Sequence, residues 1–304
     1  MELSVIICTY NRAKYIYNVL RSIAVGTFPH ERYEIVVIDN NCSDNTSDEL
    51  ERFATDYPDV NLNVVKEQRQ GLSNARNRGI AESCSDILVY VDDDATVNSG
   101  YLSAYYDFFR ENPDADAAGG PIIPDYESGN EPVWMTYHLK RLLTGYLYFG
   151  DREREFPNDN YPGGGNSAYR RRVFDRVGLY NTALGRNGES LVGGEEKDIF
   201  SKMKNAGMKF RYLPDAVLFH SIPEYKLQKG YFDRLTCGIG ESERKRTLGI
   251  SRRSYYARVF KECVKWGGTL VLWLAFLLKG RPSCGNKLVT FRWNVTRNLL
   301  GLNS

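Results

Sequence analysis

The run Ile87-Leu88-Val89-Tyr90-Val91-Asp92-Asp93-Asp94 is the clearest pointer to the architecture. Five apolar residues in succession, three of them β-branched, read as a strand buried on both faces, and the acidic triplet marks its carboxyl end. The same grammar recurs upstream. Val5-Ile6-Ile7-Cys8 gives way to Thr9-Tyr10-Asn11, Ile35-Val36-Val37-Ile38 to Asp39-Asn40-Asn41, and Leu62-Asn63-Val64-Val65 forms a further short run. Between these lie helix-like segments, with Ile16, Val19, Leu20 and Ile23 at helical spacing, then Leu50 and Phe53, then the stretch 71–81. The alternation predicts an α/β fold whose mostly parallel sheet carries helices on both faces. Sheets of this kind bind ligands beyond the carboxyl ends of their strands, where the polar residues collect here.

Farther along, residues 121–162 carry Pro121, Pro124, Pro132, Pro157 and Pro162 among aromatics and read as a long connection that shapes a pocket wall. Helical signals return at 171–177 and 195–206, with Gly207 as a stop. Residues 210–212 and 216–219 read as short strands, the second ending at His220. The expected organisation is a catalytic domain over 1–224 and a basic, mainly helical region over 225–304.

Composition narrows the class. The 304 residues are 42% hydrophobic and 26% charged, enough to bury a core. Six Cys without a CxxC spacing exclude a zinc ribbon and a disulfide scaffold, and read as buried thiols in a reducing compartment. The amino terminus lacks a basic region and is not read as a signal peptide. A cytoplasmic location follows as the expectation. No apolar run reaches the roughly 20 residues that span a bilayer. The net charge of +2 conceals a polarity, because residues 225–304 hold 16 Lys and Arg against 4 Asp and Glu. An acidic body with a basic tail argues against nucleic acid as the partner and for a localised surface. Within that tail, Thr269 to Leu278 is apolar, with Trp266 and Trp273 on either side of Leu270. The segment suits a helix lying peripherally on the inner face of a membrane, and equally an ordinary buried helix.

The chemistry-bearing candidates follow from the strand ends. Asp92, Asp93 and Asp94 crowd like charges together, which suits a divalent cation such as Mn²⁺ or Mg²⁺; a solvated acidic loop is the plainer alternative. Alternation along an extended backbone would put Asp92 and Asp94 on one side and Asp93 on the other. Asp39 suits a base or ribose edge, or a turn cap. Arg76 and Arg78, two apart on a helix, face different ways, so one of them can offer its planar donor fork to a diphosphate. Glu195 and Glu196 open a helix after Gly193-Gly194, where the helix dipole favours a carboxylate and a general base is chemically sensible; first-turn capping explains them as well. His220 is either a ligand or a buried neutral ring. The stretch 163–168 (GGGNSA) matches G-x-G-x-x-A, but no strand precedes it, so a dinucleotide loop is rejected.

Taken together, residues 4–12 (SVIICTYNR), 34–46 (EIVVIDNNCSDNT), 71–79 (GLSNARNRG), 91–95 (VDDDA), 164–168 (GGNSA) and 193–199 (GGEEKDI) resemble the family 2 inverting glycosyltransferases of GT-A fold. The resemblance covers about residues 3–220. It implies a nucleotide-diphosphate sugar as donor, a UDP-sugar by preference, and a glycan or lipid-linked acceptor. It assigns Thr9, Tyr10, Asp39 and Arg76 to the nucleotide, and Asp92 and Asp94 to the ends of a DxD motif, with Asp93 between them as a further substrate contact. Asp94 and His220 are implied at the metal. Glu196 is implied as catalytic base with Glu195 beside it, and Asn166 belongs to the acceptor wall. Three rival readings are a glycoside hydrolase, a processive synthase and a catalytically silent membrane adaptor. The synthase reading is weakened because Arg292-Trp293 lacks the Gln of a QxxRW motif, Val289 standing there instead.

Overall fold

The computed structural model describes residues 1–157, 160–188 and 193–302. Strand β1 (Leu3–Thr9) shows why the sheet forms: Leu3, Val5 and Ile7 enter one core cluster while Ile6 enters another, so both faces are buried. The chain continues through α1 (Ala13–Ala24), β2 (Tyr33–Asp39), α2 (Thr46–Asp56), β3 (Asn61–Lys66), α3 (Leu72–Glu82) and β4 (Ile87–Val91). These four strands are parallel in the order β3-β2-β1-β4, and Ile6 is flanked by Val36 on β2 and Tyr90 on β4. Helix α1 buries Ile16, Val19, Leu20 and Ile23, the spacing that predicts it.

Next come β5 (Ala95–Val97), α4 (Tyr101–Glu111), β6 (Ala117–Gly119), β7 (Ile122–Tyr126), α5 (Tyr137–Thr144), β8 (Arg154–Glu155), β9 (Asn166–Arg170), α6 (Arg172–Val177), α7 (Glu195–Asn205), β10 (Phe210–Tyr212) and β11 (Leu218–Ile222). Beyond β4 the large sheet continues as β9-β6-β10-β8, with β9 antiparallel to both β4 and β6. Strands β5, β11 and β7 make a second, smaller sheet. His220 sits within β11, opposite Ala95, rather than after a strand as expected. The expected stop at His220 fails because His220 is itself paired with Ala95 in the small sheet, and the strand runs on to Ile222.

The chain closes with helices α8 (Glu224–Leu227), α9 (Lys229–Ile250), α10 (Arg252–Leu278) and α11 (Pro282–Leu300). Two compact units result. One comprises Met1–Asp125, Gly145–Gly188 and Glu195–Ser221, and the other joins Tyr126–Thr144 to the chain from Ile222 onward. In the helical unit Leu139, Leu143, Phe232, Leu235 and Leu288 form a core. Helix α10 starts where the Ser251 hydroxyl accepts from the Ser254 amide at 3.1 Å. Its Glu262 is 2% exposed and pairs with Arg258 at 2.6 Å and Arg292 at 2.7 Å. Trp266 and Trp273 face α11, their indole N–H groups donating to Thr296 and Asn286, each at 2.9 Å. All six Cys are free, and Cys84 and Cys263 are exposed rather than buried.

Candidate active site

Two residues in left-handed backbone mark the strand ends, Asn11 at φ 54° after β1 and Asn41 at φ 66° after β2. Asn tolerates this region better than most residues, and here both side chains reach across to neighbouring loops. Asn11 Oδ1 accepts from the Ser43 backbone amide at 2.7 Å, and Asn41 Nδ2 donates to Gln68 O at 2.9 Å. Buried Asn40 ties the next loop in, donating to Glu67 O and Arg69 O and accepting from Gly71 N at 2.8 Å. The carboxyl ends of β1, β2 and β3 thus become one rigid rim. On it, Thr9 is buried, Tyr10 is exposed, and Asp39 accepts from the Cys42 amide at 2.8 Å, so one of its oxygens serves the turn.

The acidic triplet does not alternate strictly, because the backbone turns at Asp93 and Asp94. Asp93 accepts from the Tyr10 amide at 3.3 Å and lies 3.5 Å from Arg12 Nε, while Arg12 Nη2 is 3.7 Å from Asp94. Asp93 is thereby engaged with the loop after β1. Arg12, which sequence reasoning quotes but gives no role, screens two of the three carboxylates. Burial pushes the Asp93 carboxyl up to about 7 against the pull of Arg12, and burial, then Asp94, raises Asp92. Asp94 is 3.3 Å from His220 Nε2. Asp94 is a hard oxygen donor that suits Mn²⁺ or Mg²⁺, and the His220 imidazole beside it favours Mn²⁺ of the two. Among the described residues, no three His, Cys, Asp or Glu side chains gather into a ready-made cage. A site of two protein donors fits an ion that keeps waters and substrate phosphates in its other positions.

Helix α3 explains the 71–79 motif. Ser73 donates to Leu184 O at 2.7 Å, and Asn77 exchanges hydrogen bonds with the backbone of Tyr180 at 2.9 Å both ways. A Cβ on Gly79 would strike Ile6, so glycine lets the helix settle on the sheet. Arg76 points from the same face but is 2% exposed, with Nη1 donating to Glu195 and Nη2 to Glu196, each at 3.0 Å. Burial opposes its charge, yet the two glutamates hold it protonated. Glu195 is buried and its carboxyl is raised by that burial, with Arg76 pulling the other way. The Glu196 side chain is 31% exposed. The expected diphosphate fork is therefore turned onto the two glutamates. Arg78 instead pairs with Glu82 at 2.8 Å, as a solvated partner would.

The glycine run closes the site. Register pairs Val91 with Asn166, so Asp92 meets Gly165, whose carbonyl accepts from the Asp92 amide at 3.3 Å. A side chain at Gly165 would collide with the Asp92 carboxylate, and one at Gly164 with Glu196 and Arg76. Asn166 corrects an expectation. Its oxygen accepts from Tyr101 at 2.8 Å and Tyr105 at 2.7 Å, and its amide donates to Pro121 O at 2.8 Å and Ala216 O at 2.9 Å. Fully buried and fully bonded, its side chain joins α4, β9 and the 216 turn and has nothing left for a substrate. Tyr101 and Tyr105 escape sequence reasoning because they fall on the apolar face of an ordinary amphipathic helix.

The chain is similar to known proteins in sequence and in fold. A model described as glycosyl transferase family 2 matches residues 4–178. The glucosyl-dolichyl phosphate glucuronosyltransferase of Haloferax volcanii is 27% identical over 233 residues, covering 75% of this chain and 72% of that one. The succinoglycan biosynthesis protein ExoM of Rhizobium meliloti is 25% identical over 237 residues, 74% of this chain and 68% of that one. Among solved structures, the mannosyltransferase PcManGT from Pyrobaculum calidifontis, in complex with GDP-Man and Mn²⁺, superposes with a TM-score of 0.60 at 18% identity over 98% of this chain and 87% of its own. TarS 1–349 from S. aureus in complex with UDP-GlcNAc gives 0.55 at 16% identity, over 99% and 92%. Fold and site together define a glycosyltransferase of the GT-A type. The chain belongs to glycosyl transferase family 2.

Proposed function

We propose that this glycosyltransferase moves a sugar from a nucleotide-diphosphate donor, UDP by preference, to a hydroxyl of a glycan or lipid-linked acceptor, inverting the anomeric centre. The observation that carries the reading is the Gly164-Gly165 dipeptide, which brings Glu196 and Asp92 against one short piece of backbone. A base and a donor-side carboxylate at that separation suit a displacement in which both ends of the reaction must be held at once. The half-open setting of Glu196, against the burial of Glu195, favours Glu196 as the base. Arg76 orients both glutamates.

Thr9, Tyr10 and Asp39 line the rim for the nucleoside, and Asp92 lies toward its ribose. Asp94 and His220 would hold Mn²⁺ or Mg²⁺, which when bound supplies positive charge to the leaving diphosphate. Glu196 takes the proton of the acceptor hydroxyl. That oxygen bonds to the anomeric carbon from the far side, and the carbon–oxygen bond to the diphosphate breaks, its electron pair leaving with the nucleotide. The basic helical region suits peripheral contact with the cytoplasmic leaflet, where a lipid-linked acceptor would be met.

A panel of nucleoside diphosphates in thermal melts, with and without Mn²⁺, tests the donor half, since only a binder raises the melting point. Release of nucleoside diphosphate from UDP-sugars in the presence of membrane lipid extract tests the transfer. A melt indifferent to every nucleotide in both conditions would refute the reading and favour the silent adaptor.

A further inference from the structure

Helix α10 is built inside out. Its inward side carries charge: Glu262 is held by Arg258 and Arg292, and Thr269 is buried beside them, its hydroxyl accepting from Arg292 Nε at 3.3 Å. Its outward side is apolar. Tyr256, Phe260, Val264, Val271, Leu274 and Leu278 are 67%, 70%, 63%, 69%, 50% and 80% exposed. Their spacings of 4, 4, 7, 3 and 4 residues keep them on one face of the helix. The stripe runs for about 33 Å at 1.5 Å per residue. A continuous exposed apolar face of this length marks an interaction surface, and a scatter of single exposed residues would not.

We propose that this face docks on an anionic lipid bilayer, with α10 lying in the plane of the interface. The argument for that occupant is charge. From Arg252 to the end the chain holds ten Lys and Arg and one acid, Glu262, and that acid is buried and paired. The exposed charges on α10 are Arg252, Arg253, Lys261 and Lys265, all cationic, and Lys279 and Arg281 follow its end. A second copy of the helix would bring like charges together, whereas anionic headgroups complement them. Crossing is not the mode, because among the described residues no helix is long and apolar enough to span a membrane. The inference rests on the peripheral membrane contact proposed above and names the surface that makes it.

The test uses the full chain in flotation with vesicles of phosphatidylcholine alone and of phosphatidylcholine with phosphatidylglycerol. The expected result is binding to the anionic vesicles, weakened by salt. Lys261→Ala/Lys265→Ala lowers the partition coefficient by roughly 25-fold, about fivefold for each cation removed, and Phe260→Gln/Val271→Gln/Leu274→Gln abolishes binding. All six positions of the stripe are solvent-facing, so circular dichroism and melting of these variants should match the parent. Equal binding by parent and both variants, or none by the parent, overturns the proposal. So does a dimer in light scattering that dissociates in the triple variant, which would assign the face to a second copy. Mn²⁺-dependent nucleotide melting shifts, measured on the same samples, report the donor site separately, so loss of docking and loss of the glycosyl-transfer reading are told apart.

Discussion

Arg76 holds Glu195 with one guanidinium nitrogen and Glu196 with the other, each at 3.0 Å, across 119 and 120 residues of sequence. The arrangement uses one buried cation to fix a buried carboxylate and a half-open one side by side. Arg76→Ala leaves Glu195 buried without its partner, so a loss of about 3–5 kcal/mol is expected in chemical denaturation. Arg76→Ala/Glu195→Gln should recover part of that loss, because the stranded charge is gone. Additive losses in the double variant would show that the pair does not act as a unit.

Glu196→Gln keeps the shape and the hydrogen bond to Arg76 but removes the base. Transfer should fall by about 10²–10⁴-fold while the nucleotide melting shift is unchanged. A larger loss for Glu195→Gln than for Glu196→Gln would move the role to Glu195.

Gly164→Ala and Gly165→Ala should separate the two halves of the site. The first drives a methyl into Glu196 and the second into Asp92. Gly164→Ala is expected to keep nucleotide binding and lose about 100-fold in transfer, the effect of a misplaced reacting group. Gly165→Ala should instead weaken the nucleotide melting shift. Identical phenotypes would contradict the division.

Asp94→Asn should remove the Mn²⁺ dependence of nucleotide binding while leaving the fold intact. Isothermal titration of Mn²⁺ in the presence of UDP checks it, and an unchanged metal affinity would exclude Asp94 from the metal.

Glu262 sets an acid limit on the helical unit. Burial pushes its carboxyl up, but the hydrogen bonds from Arg292 and Arg258 outweigh this and leave it below the ordinary range. A depressed folded value means that its stabilisation is complete above the unfolded value of about 4.3 and disappears as pH falls through the folded one. Glu262→Gln should therefore flatten the fall in melting temperature on acidification, and it should cost about 3 kcal/mol near neutrality by taking the carboxylate from Arg292, while Arg258 keeps Glu243.

The parallel half of the sheet and the positions of its polar ends are legible in the amino-acid sequence. Ile87 to Val91 is a strand with the bounds its apolar run predicts, Asp92 follows it as expected, and Asp39 is the last residue of β2 rather than the first beyond it. Such information is local, because consecutive buried residues and the turns after them constrain only their own backbone. The partners of these residues are set by the folded chain. Nothing near Arg76 announces that its fork meets glutamates more than a hundred residues away, and nothing in GGGNSA tells that Gly165 faces Asp92 while Asn166 is sealed by two tyrosines. His220 lies inside a strand because β11 is the middle strand of the small sheet, between β5 and β7. The apolar run of α10 is equally readable as core or surface, until Glu262 and the two tryptophans turn toward α11 and leave the apolar side facing out. Register and helix rotation are set by contacts between distant segments, and a linear pattern carries the burial of a residue without the identity of what buries it.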